Sequence, residues 1–174
     1  MVYWITGLSG AGKTTIGKLF YKKLREENTD TVFLDGDALR KVLGDDLGYS
    51  REERERCAMR YSRLCALLEE QGINVVCCTI SMFDNVRAWN RANIHNYIEI
   101  YVKASMDTLL DRDQKGLYSG NTNEESKEVV GVHINYEEPK CPDLILGNDG
   151  ELTPEEQVSK IFSFLKKNNY MIER

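Results

Sequence analysis

Residues 7–14 read Gly-Leu-Ser-Gly-Ala-Gly-Lys-Thr, a match to G-x-x-x-x-G-K-S/T, and no other stretch restricts the possible folds as tightly. Such a loop works only between an apolar strand and a helix, where successive backbone N–H groups curl inward at a helix N-terminus and face an anion. Both flanks are present. Val2–Thr6 (VYWIT) reads as a short buried strand, and Thr14–Glu27 as a helix with Ile16, Leu19, Phe20 and Leu24 on one face. The glycines let the backbone curl, Lys13 reaches toward β- and γ-phosphate oxygens, and the Thr14 hydroxyl suits magnesium. The expected ATP-binding set is therefore Gly7, Ser9, Gly10, Ala11, Gly12, Lys13, Thr14 and Thr15, with Lys13 also catalytic. The competing reading, a chance match in a glycine-rich turn, is weakened by strand and helix standing in the correct order.

The remaining pattern alternates strand and helix. Strands are expected at Val32–Asp35, Ile73–Cys78, Tyr97–Lys103 and Asp143–Leu146. Helices are expected at Ala38–Leu43, Arg51–Gln71, Val86–His95 and Met106–Arg112. A last helix opens on the capping box Thr153-Pro154-Glu155-Glu156 and buries Val158, Ile161, Phe162 and Leu165. Cys57, Tyr61, Leu64 and Leu68 form the expected buried stripe of the long helix, and Gly72 its stop. Strands separated by helices pair in parallel through right-handed crossovers. The predicted fold is thus α/β, a P-loop kinase fold with an open parallel five-stranded sheet and helices on both faces, in one domain over residues 1–174. Ligands of such sheets bind beyond the carboxyl ends of the strands.

A net charge of −5, from 23 basic and 28 acidic residues, argues against a sequence-independent nucleic-acid binder. No apolar run approaches a membrane span, and Met1–Thr6 already reads as strand, which leaves no room for a signal peptide. The five cysteines, Cys57, Cys65, Cys77, Cys78 and Cys141, show no zinc spacing and no Cys-x-x-Cys pair. They read as buried, reduced thiols of a cytoplasmic protein. Adjacent Cys77 and Cys78 should face opposite sides of a strand.

Asp35-Gly36-Asp37 follows the second strand, beside the phosphate loop. Phosphoryl transfer to a hydroxyl needs a group that positions the nucleophile and accepts its proton, together with magnesium held against the phosphates. Asp37 is assigned to the acceptor hydroxyl and Asp35 to water-mediated contact with the metal; the alternative for one of them is a helix cap. Arg54 leads the buried stripe of the long helix, and Arg40 and Arg60 could join it as clamps on an anionic acceptor. Arg51, Arg56 and Arg63 read as a solvated, salt-bridged face. The polar stretch from about 114 to 133 is either a lid over ATP or an ordinary surface excursion.

Together these residues resemble the adenylylsulfate kinases over nearly the whole chain. The shared elements are the phosphate loop with Gly7-Leu8-Ser9, Leu34-Asp35-Gly36-Asp37-x-x-Arg40, Asp46-Leu47-Gly48-Tyr49-Ser50, Arg112-Asp113-x-Lys115-Gly116-Leu117-Tyr118, Gly131, and Tyr136-Glu137-x-Pro139. The resemblance implies ATP and Mg2+ as cofactors and phosphorylation of a nucleotide's ribose 3′-hydroxyl. It adds Arg112 to the ATP site, and it gives Asp37, Arg40, Tyr49, Arg54, Cys57, Ser81, Lys115, Gly116, Leu117 and Val129 as the acceptor site. It also admits a homodimer.

Departures gather on the acceptor side. The family's Asp-Arg pair is Glu53-Arg54, its following Asn is Cys57, and the first Arg of its Ile-Arg-Arg is Met59. Its Ser-Phe-Ile-Ser-Pro-Tyr is Cys78-Thr79-Ile80-Ser81-Met82-Phe83, and its Phe-Thr-Gly-Ile is Val129-Val130-Gly131-Val132. The basic run that follows Lys-Gly-Leu-Tyr in the family is Ser119-Gly120-Asn121-Thr122. In the family the two missing phenylalanines sandwich the acceptor's adenine, and base stacking is worth about 1–3 kcal/mol per ring. The resemblance thus implies an intact ATP half and an acceptor half rebuilt for another nucleotide, such as cytidine diphosphoramidate, with adenylylsulfate as the alternative.

Overall fold

The computed structural model describes residues 1–27, 29–44, 46–113, 130 and 134–170. Its elements run β1 (Val2–Thr6), α1 (Lys13–Glu27), β2 (Thr31–Asp35), α2 (Gly36–Leu43), α3 (Arg51–Glu70), β3 (Asn74–Thr79), α4 (Asp84–Asn93), β4 (Tyr97–Lys103), α5 (Met106–Arg112), β5 (Leu144–Gly147) and α6 (Pro154–Lys167). The strands form a five-stranded sheet in the order β2-β3-β1-β4-β5. Every pairing is parallel, with Val2 level with Val75 on one side and Tyr97 on the other. β1 lies at the centre and is buried along its whole length, which is why it reads as an unbroken apolar run.

Alternation along the strands divides the core into two layers. Tyr3, Ile5, Val76 and Cys78 face Ile16 and Phe20 of α1 and Val158, Ile161 and Leu165 of α6. Val2, Trp4, Val75 and Cys77 face Cys57, Tyr61 and Cys65 of α3 and Val86 of α4. Cys77 and Cys78 therefore lie on opposite faces, as expected.

Gly17 marks the tightest helix–sheet approach. A Cβ added there would stand 2.2 Å from Cys78 Sγ and 3.3 Å from the Phe33 ring. Gly17→Ala should lower stability by about 1–3 kcal/mol through overpacking, despite alanine's better helix propensity. Adding Cys78→Ala should restore most of the loss. Thermal unfolding of the single and double variants checks both.

Several boundaries differ from expectation because distant side chains decide them. β5 starts at Leu144 because the Asp143 carboxylate accepts from Glu99 N at 2.7 Å. α4 starts at Asp84, whose backbone N donates to Glu137 Oε2. α2 starts at Gly36 because Asp35 is its N-cap. The buried face of α3 is Cys57, Ala58, Tyr61, Ser62, Cys65, Ala66 and Glu69, while Leu64 and Leu68 are only half-buried; Phe162 on α6 is half-buried too. Cys141 is exposed, a correction to the expectation that all five thiols are buried; none is in a disulfide. Capping boxes open both α3 (Ser50–Glu53) and α6 (Thr153–Glu156). Gly72 follows α3 at φ +80°, a backbone that suits glycine. Among the described residues no helix is long and apolar enough to cross a membrane.

Candidate active site

A cavity of about 650 Å³ opens at the carboxyl edge of the sheet. Ser9, Gly10, Gly12, Lys13, Thr14 and Thr15 form one end, and Arg112 stands in the same wall. Gly10 and Gly12 have φ of +77° and +96°, so the loop needs glycine at both. Lys13 is only 8% exposed, and its Nζ donates to Leu8 O at 2.7 Å. The other two members of the predicted ATP set lie behind the wall. Gly7 packs so closely that an added Cβ would be 2.3 Å from Val102 O, and Ala11 is buried.

Asp35 joins the loop to the next element. Its Oδ2 accepts from Thr14 Oγ1 at 2.9 Å, and its Oδ1 accepts from Asp37 N at 3.0 Å, capping α2. The helix-cap reading of Asp35 is thus present, and its other oxygen is engaged with the Thr14 hydroxyl. Asp37 follows on the first turn of α2 and lines the same cavity.

Beyond Asp37 the wall passes to Arg40, Arg54, Cys57, Tyr61, Thr79 and Ser81. Arg40 Nη2 donates to Leu47 O at 2.8 Å and to Gly48 O, and Arg54 Nε donates to Tyr49 O at 2.8 Å. Both guanidinium groups also cover the Tyr49 ring, at 4.1 and 5.1 Å from its centroid. Tyr49 thus braces the two arginines from behind. Arg60 is not part of the wall, contrary to the expectation of a third clamp: it pairs with both Asp46 oxygens and donates to Leu43 O. Arg51, read as part of a solvated, salt-bridged face, does form an ion pair, with Glu137 Oε1 at 2.7 Å, and it also donates to Asn135 O at 2.7 Å.

Cys57, Tyr61, Thr79 and Ser81 make hydrogen bonds along the cavity lining. Cys57 Sγ donates to Tyr61 Oη at 2.8 Å, and Tyr61 Oη to Gly36 O at 3.4 Å. Burial pushes the Tyr61 phenol and the Cys78 thiol up, so both stay protonated. Thr79 Oγ1 and Ser81 Oγ are 2.7 Å apart. Lys115, Gly116, Leu117, Val129 and most of the 114–133 stretch, expected as either a lid or a surface excursion, lie outside the described residues.

Sequence reasoning missed part of the wall. Tyr61 reads only as part of a buried stripe and Pro154 only as part of a capping box, while Asn148, Gly150 and Leu152 fall between the expected strand and helix and have no assignment. The signal for the latter group was available: they follow the carboxyl end of β5, where this sheet type binds ligands.

A phosphate loop, a carboxylate pair and an arginine wall in one cavity define a P-loop small-molecule kinase. The sequence profile of the adenylylsulphate kinases matches residues 1–147. The chain belongs to the adenylylsulphate kinase family and is an ATP-dependent kinase. A cytidine diphosphoramidate kinase of Campylobacter jejuni is 41% identical over 164 residues, 94% of this chain and 95% of that relative. An adenylyl-sulfate kinase of Halothermothrix orenii is 39% identical over 168 residues, 97% of this chain and 90% of the relative. The Mycobacterium tuberculosis APS kinase CysC, solved with AMPPNP and APS, superposes with a TM-score of 0.85 at 32% identity, covering 95% of this chain and 96% of the other.

Proposed function

We propose that the protein transfers the γ-phosphoryl group of ATP to the ribose 3′-hydroxyl of a nucleotide whose base is smaller than adenine, cytidine diphosphoramidate being the best candidate. Lys13 and the loop amides hold the phosphates. Asp37 orients the acceptor hydroxyl and takes its proton. Arg40 and Arg54 hold the acceptor's anionic groups, with Cys57 and Ser81 beside them. Thr14 and Asp35 offer a hydroxyl and a carboxylate oxygen, a donor set suited to Mg2+, which retains waters and shares phosphate oxygens. When bound, the ion neutralises phosphate charge.

One observation carries the choice of acceptor. Where the resemblance expects a stacking phenylalanine, Thr79 is 5% exposed and its hydroxyl is engaged with Ser81. At that position the cavity is lined by a hydroxyl pair rather than a ring. The 41% identity to a cytidine diphosphoramidate kinase supports the same reading.

ATP-dependent ADP release, measured over a panel of nucleotide acceptors, is the test. Loss of two stacking contacts, about 2 kcal/mol at the low end, should make kcat/KM for adenylylsulfate at least about 30-fold lower than for cytidine diphosphoramidate. Equal or faster turnover of adenylylsulfate would make the protein an adenylylsulfate kinase.

A further inference from the structure

We propose that Asn148 is a positioning residue for ATP, fixing the peptide between Ala11 and Gly12 so that the Gly12 N–H faces the phosphates. The argument starts from a contact 137 residues apart in sequence: Asn148 Nδ2 donates to Ala11 O at 2.8 Å. In a trans peptide the C=O and the following N–H point in opposite directions, and no cis peptide occurs among the described residues. Holding Ala11 O toward Asn148 therefore turns the Gly12 N–H the other way.

Asn148 also bears on the next residue. A Cβ on Gly12 would be 2.4 Å from Asn148 Nδ2, so the amide packs directly against the Gly12 α-carbon. With φ of +96° and no side chain at Gly12, this peptide has more conformations open to it than one between two side-chain-bearing residues. Asn148 contacts it twice, by a hydrogen bond on one side and by packing on the other.

The holder is itself rigid. Asn148 N donates to Lys103 O at the end of β4 at 2.8 Å. The preceding carbonyl, Gly147 O, accepts from Nε2 of the fully buried Gln157 on α6, and the following Asp149 accepts from Ser105 N at 2.7 Å. Strand, helix and loop thus fix the amide's position before any nucleotide arrives, as preorganised sites require.

The test uses the whole protein without acceptor, which keeps it separate from the identity of that acceptor. ADP and adenosine are titrated separately into wild type, Asn148→Ala and Asn148→Asp; the last keeps the shape but cannot donate. ADP should bind about tenfold more weakly to both variants, the cost of one badly aimed N–H to a charged phosphate. Adenosine affinity should change less than about twofold, since adenosine has no phosphate for the Gly12 N–H to meet. Equal weakening of both ligands would place Asn148 against the nucleoside, and unchanged ADP affinity would remove any role; either overturns the proposal. Should the variants fail to fold, NMR of the wild type still decides. A through-hydrogen-bond coupling from Asn148 Nδ2 to the Ala11 carbonyl carbon, with a downfield shift of the Gly12 amide proton on adding ADP, is expected. Absence of either overturns the proposal.

Discussion

Exchanging Lys13 for Met lowers kcat by about 10³-fold, at the upper end of what one preorganised donor contributes to a developing charge. The substitution is chosen for what it keeps. Lys13 is 8% exposed, so its stem is packed under the loop, and Met fills the same path without the ammonium. The charge is lost where surrounding protein excludes water, so no solvent replaces it fully. Thermal unfolding is the control that the fold persists, since the bond that Nζ donates to Leu8 O is lost with the ammonium. Single-turnover phosphoryl transfer at saturating ATP is the measurement. A variant that turns over like the wild type would show that the loop does not carry the transferred phosphate.

Asp37→Asn gives the second large effect, a fall in kcat of about 10²–10⁴-fold, the usual contribution of a general base. ATP affinity should stay near wild type. The replaced atoms are side-chain oxygens, whereas the Asp37 backbone N–H that Asp35 accepts is retained, so the cap of α2 and the Thr14–Asp35 contact persist. Calorimetric ADP binding alongside steady-state kinetics separates the two quantities. Wild-type kcat in this variant would move the proton-accepting role away from Asp37.

The donor half of the cavity was legible in the sequence because its parts are contiguous. Strand, loop and helix from Val2 to Glu27 carry their burial pattern and their motif in one stretch. The strands were legible for a related reason, since burial on both faces leaves unbroken apolar runs. What escaped depends on side chains that meet the backbone from far away. The carboxylate of Asp143 ends one stretch and begins another through Glu99 N, and the Asn148 amide reaches Ala11 across almost the whole chain. No periodicity announces such contacts. Arg60 illustrates the opposite error: its place on α3 suggested the cavity, yet Asp46 on the preceding loop claims its guanidinium. Cys141 was judged by residue type alone, and it lies exposed just before β5.

The alternation of side chains along β1 and β3 has a consequence for how such proteins diversify. Tyr3, Ile5, Val76 and Cys78 support the helices that flank the phosphate loop, while Val2, Trp4, Val75 and Cys77 support α3, which bears Arg54 and Cys57. The sheet is therefore a partition between two mutational neighbourhoods. The helix after the phosphate loop answers to one packing layer, and α3 with Arg54 and Cys57 answers to the other. A lineage can repack α3, and with it Arg54 and Cys57, by drifting on one side of the sheet while the packing beneath α1 on the other stays as it is.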